Sequence, residues 1–212
     1  MRSRERNILI AVALIAALVT AGCLRRSFPE RKQFNLELSR PGSAQLACDC
    51  TGRVERVHVA RQFENRGFVY KTNGETEEDF WNEFFLPPGA LIRERTQSWL
   101  RSSGLFRKLV PASMAAPADW LIEGRVNKLY ADMRKGPGSA VLEIEWTVRD
   151  GSSRDLAVVL NRIYGGSLEL EKRSAPAIAE AWAELLTRHL TTFEAHLREF
   201  FAARTDDAST ND

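Results

Sequence analysis

Hydrophobic positions along the chain switch between two periods, and the switches mark the expected elements. A first apolar run, Ile8 to Val19, is unbroken but too short to span a bilayer, which takes ~20 apolar residues. Alternation with a period of two then predicts a strand over 34–38, where Phe34, Leu36 and Leu38 share a face before Pro41-Gly42-Ser43 ends it. It returns over 53–63, with Val57, Val59 and Phe63 inward and Arg56, His58 and Gln62 outward. Arg61 falls on the inward parity, at the strand end where its head reaches water. Asn65-Arg66-Gly67 signals a tight turn into the β-rich Phe68-Val69-Tyr70-Lys71, so the two runs predict a hairpin. The acidic and aromatic run 77–86 predicts one or two helical turns, broken by Pro87-Pro88.

From Pro88-Gly89 the period becomes helical through Ser103. Leu91, Ile92, Thr96, Trp99 and Leu100 lie on one stripe, and Gly104 stands where a C-terminal cap belongs. A short strand is expected over 106–110, then a loop over 111–118. Three long alternating runs follow, 120–133, 140–148 and 156–164, with turn residues between them, and they predict a meander. Gly165-Gly166 reads as a turn or bulge. Ser174 is positioned to cap a final helix with Pro176 in its first turn. Its stripe is Ile178, Trp182, Leu185, Leu186, Leu190, Phe193, Leu197 and Phe201. Strands, helix, strands, helix make an α+β two-layer domain: a mixed or antiparallel sheet with two amphipathic helices on one face.

The chemistry at the N-terminus changes the picture. Three arginines precede the apolar run, and Thr20-Ala21-Gly22-Cys23 follows it, the order of a secretory signal. Ala21-Gly22-Cys23 resembles the bacterial lipobox, although Thr20 stands where Leu is usual. The resemblance implies cleavage before Cys23 and lipidation of its sulfur, and stable anchoring takes at least two acyl signals. The expected organisation is a signal peptide (1–22), a lipidated tether (23–33), one domain (34–203) and a polar, disordered tail (204–212). Arg2, Arg4, Arg6 and Glu5 leave with the signal, so the formal +2 charge belongs to the precursor and the mature chain is neutral. A neutral chain lacks the basic field that nucleic acid requires.

No nucleophile elbow, phosphate loop or dinucleotide fingerprint is present, so neither enzyme activity nor a cofactor is expected. Cys48-Asp49-Cys50 leaves three readings open: a pair facing a second chain, a strained reversible bridge, or two free thiols. With His58 the pair supplies three ligands and lacks a fourth, so no metal site is expected. His189 and His196 read as surface or boundary residues, and Glu75, Glu77, Glu78 and Asp79 as a solvated loop. Phe80, Trp81, Phe84 and Phe85, beside the Pro-Pro break, are candidate partner-docking aromatics.

Several short runs carry a further likeness. Val57-His58-Val59, Gly67-Phe68-Val69-Tyr70-Lys71, Asp79-Phe80-Trp81, Pro87-Pro88 and Trp99 to Phe106, then Leu121 to Val126 and Leu129 to Asp132, resemble in order the ABC-type transport auxiliary lipoproteins, the group that includes the paraquat-inducible protein C lipoproteins. Lys71 stands where that family commonly has Arg and Phe34 where it has Tyr, and Cys48-Asp49-Cys50 is no family feature. The resemblance implies a lipid-anchored accessory of an ABC-type lipid transport system. Its partners would be an MCE-domain protein, with the ABC permease and ATPase behind it, and a homo-oligomer is a candidate arrangement. Leu24 in place of Asp after the lipidated cysteine favours the periplasmic face of the outer membrane. The alternative is a stand-alone lipid-binding or envelope-assembly lipoprotein with a cavity between sheet and helices.

Overall fold

Two-residue alternation builds most of the molecule. The structure is a computed structural model that describes residues 30–114 and 116–210, with side chains as far as Arg204; the signal segment, Cys23 and most of the tether lie outside the described residues. Strands β6 (Trp120–Asp132), β7 (Ser139–Asp150) and β8 (Val158–Glu169) form the expected antiparallel meander. On β7, Ala140, Leu142, Ile144, Trp146 and Val148 are at most 1% exposed, and the residues between them face the opposite, polar side. On β6 a register shift between Val126 and Lys128 changes the phase. Ile122, Gly124 and Val126 are therefore buried before it, and Leu129 and Ala131 after it. That shift is why neither parity of this run is apolar throughout.

The other strands are β1 (Lys32–Phe34), β2 (Cys48–Val59), β3 (Gly67–Lys71), β4 (Thr76–Phe84) and β5 (Phe106–Leu109), completing one eight-stranded mixed sheet. The hairpin expected between β2 and β3 does not form. β2 pairs parallel with β6 over Trp120–Val126 and β3 pairs parallel with it at Ala131–Asp132. Since β7 occupies the other edge of β6 end to end, β2 and β3 are successive pieces of one lane. Between them the chain steps sideways through a 3-10 turn, Arg61–Phe63, instead of reversing. Arg61 and Gln62 are both exposed there, while Phe63 is buried and stacks on Tyr130. The hairpin partner of β3 is β4, a strand where helical turns were expected. Here pairing with an available strand edge overrides the weak helical signal. The first strand is likewise displaced: β1 stops at Phe34, and residues 35–47 are irregular, although Leu36 is 1% exposed and so keeps its inward parity. Gly165 and Gly166 form no turn. They pair with Glu143 and Leu142 in mid-strand, and a β-carbon on Gly166 would sit 3.3 Å from Leu185, so the glycine lets a helix approach closely.

Helices α1 (Pro88–Ser103) and α2 (Ala175–Thr210) form the second layer, giving the two-layer α+β domain. All five stripe residues of α1 are at most 3% exposed, and Gly104 ends the helix in the left-handed conformation (φ 64°). Ser174 caps α2 through the Ala177 N–H at 3.4 Å, and its eight-residue stripe is at most 3% exposed. The helix runs to Thr210, into the segment expected as a polar tail. Between the layers Trp146 stacks on Phe193 at 5.4 Å, and Trp182 meets Phe68 edge to face at 4.9 Å.

One carboxylate ties the irregular segment to both helices. Glu194 on α2 accepts hydrogen bonds from Arg40 Nη2 (2.8 Å), Arg198 Nη2 (2.8 Å) and Trp99 Nε1 (2.9 Å). Arg198 also donates to the Ser103 and Gln45 carbonyls, and Arg40 to that of Gly42. Burial raises the Glu194 carboxyl, but these donors outweigh it and hold the group below the usual carboxylate range. Glu194→Ala leaves two half-buried guanidinium groups without their counter-ion. The expected loss is roughly 3 kcal/mol, read as a lower urea midpoint at unchanged slope.

Candidate functional site

Strand β4 carries the most exposed aromatic group among the described residues. Gly67 pairs with Glu83 and Val69 with Glu78, so the four residues 79–82 stand opposite Phe68 alone. This wide bulge lifts the strand away from its partner. Asp79 fixes its shape: one carboxylate oxygen accepts from the Trp81 and Asn82 backbone N–H groups at 2.7 and 3.0 Å. The other accepts from Asn82 Nδ2 at 2.7 Å and the Tyr70 hydroxyl at 2.8 Å. Burial raises the Asp79 carboxyl, yet the four donors outweigh it and hold the group charged below its ordinary range. Burial, followed by Asp79, pushes the Tyr70 phenol well above its usual value.

The bulge sorts the four candidate aromatics. Phe80 is 61% exposed, Trp81 41% and Phe85 56%, whereas Phe84 is 1% exposed against Phe68 and Trp182. Phe84 is therefore corrected from docking residue to core residue: it falls on the inward side of the strand once the bulge has reset the register. Phe80 and Trp81 meet edge to face at 5.0 Å. The Arg31 guanidinium lies over Phe80 at 4.2 Å, and the Phe85 N–H donates to the Phe34 carbonyl at 2.8 Å, so the end of the tether runs alongside the cluster. Glu83 is shared by two arginines, accepting from Arg66 at 2.9 Å with Arg31 at 3.9 Å.

The other sequence candidates do not join this site. Cys48 and Cys50 form a disulfide within β2, and His58 is exposed further along that strand. Among the described residues no group of three His, Cys, Asp or Glu is placed to hold a metal ion. The acidic run is no uniform solvated loop, since Asp79 is the bulge's organiser and Glu78 accepts from Asn65 at 2.9 Å. His196 bonds the Tyr164 hydroxyl at 2.8 Å, and His189 is only 7% exposed beneath β8. Sequence reading missed the roles of Asp79 and Arg31. The available signal was turn chemistry, an Asp followed three residues later by Asn inside an aromatic run.

No known family model matches the chain, and no curated protein matches it in sequence. Solved structures do share its fold. The crystal structure of protein XCC0632 from Xanthomonas campestris, assigned to family model DUF330, is similar with a TM-score of 0.72 at 15% identity, over 82% of this chain and 99% of that one. An uncharacterised protein is similar with a TM-score of 0.62 at 16% identity, over 79% and 99%. The hypothetical protein CT253 from Chlamydia trachomatis reaches 0.50 at 14% identity, over 74% and 99%. At these identities the likeness is one of fold.

Asp79→Ala removes four accepted hydrogen bonds at once. It is expected to cost about 2 kcal/mol and to speed amide exchange at Trp81 and Asn82 while residues of β7 keep their protection. A second prediction concerns pH. Burial pulls His189 down to about 4, and its Nδ1 has no hydrogen-bond partner. With a folded value below the unfolded one, near 6.5, the unfolded chain binds the proton first. Stability should therefore fall by up to roughly 3 kcal/mol as pH drops from about 6.5 to 4. Urea titrations across that range should show the slope, and His189→Leu should flatten it.

Proposed function

We propose that the chain is a lipid-anchored, non-catalytic accessory of an ABC-type, MCE-associated lipid transport system, docking or aligning the transport bridge on the periplasmic face of the outer membrane. The observation that carries the reading is the union of a lipobox at Cys23 with the ordered resemblance from Val57 to Asp132. The fold gives that resemblance a physical footing. Its runs fall on β2, β3, the β4 bulge, both ends of α1 and β6; of these, β2 and β3 pair along one edge of β6, and the β4 bulge carries exposed Phe80 and Trp81. No helix among the described residues is long and apolar enough to cross a membrane; the attachment proposed is a lipid at Cys23.

An accessory role is favoured over carriage of lipid inside the domain, because Trp146, Trp182 and Phe193, each 0% exposed, occupy the space between sheet and helix. The partner would be an MCE-domain protein, with the permease and ATPase reached through it. The lipidated chain should co-purify with an MCE-domain protein encoded beside it. Cys23→Ala should give a protein with an unchanged circular dichroism spectrum that fails to complement a deletion. Full complementation by that variant would remove anchoring from the function.

A further inference from the structure

The aromatic bulge lies where the tether joins the domain, and this coincidence bears on what the bulge touches. Eight peptide steps separate Cys23 from Arg31, at most about 28 Å of fully extended chain. A domain of this size is about 40 Å across. An anchor at Cys23 would therefore hold the Arg31 side of the domain against the bilayer. On that side Arg31 covers one face of Phe80, Trp81 stands against Phe80, and Phe85 is bonded to the backbone of β1.

We propose that Phe80, Trp81 and Phe85 enter the phospholipid interface and form a second, non-covalent membrane contact that orients the domain. The inference rests on the proposed lipidation of Cys23. The chemistry fits a headgroup region: Trp and Phe rings settle at the boundary between acyl chains and water, and a Trp N–H keeps a polar partner there. Positive charge contributes little, because Arg31 and Arg66 share Glu83, and Glu77, Glu78 and Asp79 on the same strand more than offset the remaining cation. Binding should therefore occur on zwitterionic lipid and depend weakly on salt, unlike a polybasic contact. Asp79 is a positioning residue, since its four hydrogen bonds hold Phe80 and Trp81 out of the sheet.

The fold supplies its own reporter. The other four tryptophans, Trp99, Trp120, Trp146 and Trp182, are at most 7% exposed, so lipid-borne quenchers can reach Trp81 selectively. The test uses the lipidated chain in phosphatidylethanolamine–phosphatidylcholine vesicles containing brominated acyl chains. A parallel arm replaces Cys23 by a hexahistidine tag held on a nickel-chelating lipid, which anchors the chain whether or not Cys23 is lipidated. Quenching is expected in both arms, absent in Trp81→Phe, and reduced several-fold in Phe80→Ala/Phe85→Ala and in Asp79→Ala. Vesicle flotation and the mass of the N-terminal peptide read the anchor separately, so an unlipidated Cys23 overturns the anchoring reading alone. Anchored chain without Trp81 quenching in either arm overturns the membrane contact, including the case where an MCE-domain protein covers these aromatics instead.

Discussion

Glu194 is the point at which three separate stretches of chain become one structure. The segment 35–47 has no ladder of its own, so something other than strand pairing must hold it. Arg40 reaches Glu194 from that segment, Trp99 from α1, and Arg198 from the next turn of α2. Arg198 then closes the ring by donating to Ser103 at the end of α1 and to Gln45. A buried carboxylate is costly alone, and a buried pair is weak evidence for stability in general. Here the group also satisfies an indole N–H and organises guanidinium groups that satisfy loop carbonyls. An apolar replacement would fill the volume and leave those polar groups without partners. The hub therefore contributes specificity: it selects one docking of α1 against α2 and one path for the segment behind β1.

How much of this was legible in the sequence depends on the range of the interaction that decides each element. β7 and the α2 stripe were readable because each is apolar on one face along its whole length, so local pattern and burial agree. α1 was readable at both ends for the same reason, with Pro88 and Gly104 as boundary signals. Pairing was less accessible. That β2 and β3 share one edge of β6 depends on β7 filling the other edge, a fact some seventy residues away in the chain. The β4 run looked helical because Glu, Phe and Trp tolerate helices and the bulge scrambled its alternation. Lacking the partner strand, no local rule places Phe84 inward and Phe85 outward. Glu194 was invisible for a related reason, since its partners lie more than ninety residues away, apart from Arg198.

The candidate site shows the same dependence on a single polar group. Exposed Phe80 and Trp81 would gain by folding down onto the sheet, and burial of one aromatic side chain is worth about 1.5–3 kcal/mol. Four hydrogen bonds to a charged Asp79 oppose that collapse, and they are geometrically incompatible with a regular strand. The carboxylate thus converts a run of apolar residues into a fixed, outward aromatic tip. Its negative charge would otherwise be an odd companion for such a group.

If Cys23 carries the proposed lipid, position and orientation at the membrane become separate requirements. A short stretch of chain between a lipid at Cys23 and the domain would limit the distance to the bilayer without by itself setting the rotation. A chain cleaved before Cys23 would carry no formal net charge, so it would feel little net long-range attraction to anionic lipid. A contact beside the tether would set the rotation, and it need not be strong. Once the chain is anchored, the contact would form within one protein–membrane assembly, at an effective concentration in the millimolar range. Three half-exposed rings would then be enough to set which face of an anchored domain looks at the membrane and which looks away from it. On this argument a lipid at Cys23 and the aromatic tip would be two halves of one device, the first supplying proximity and the second direction.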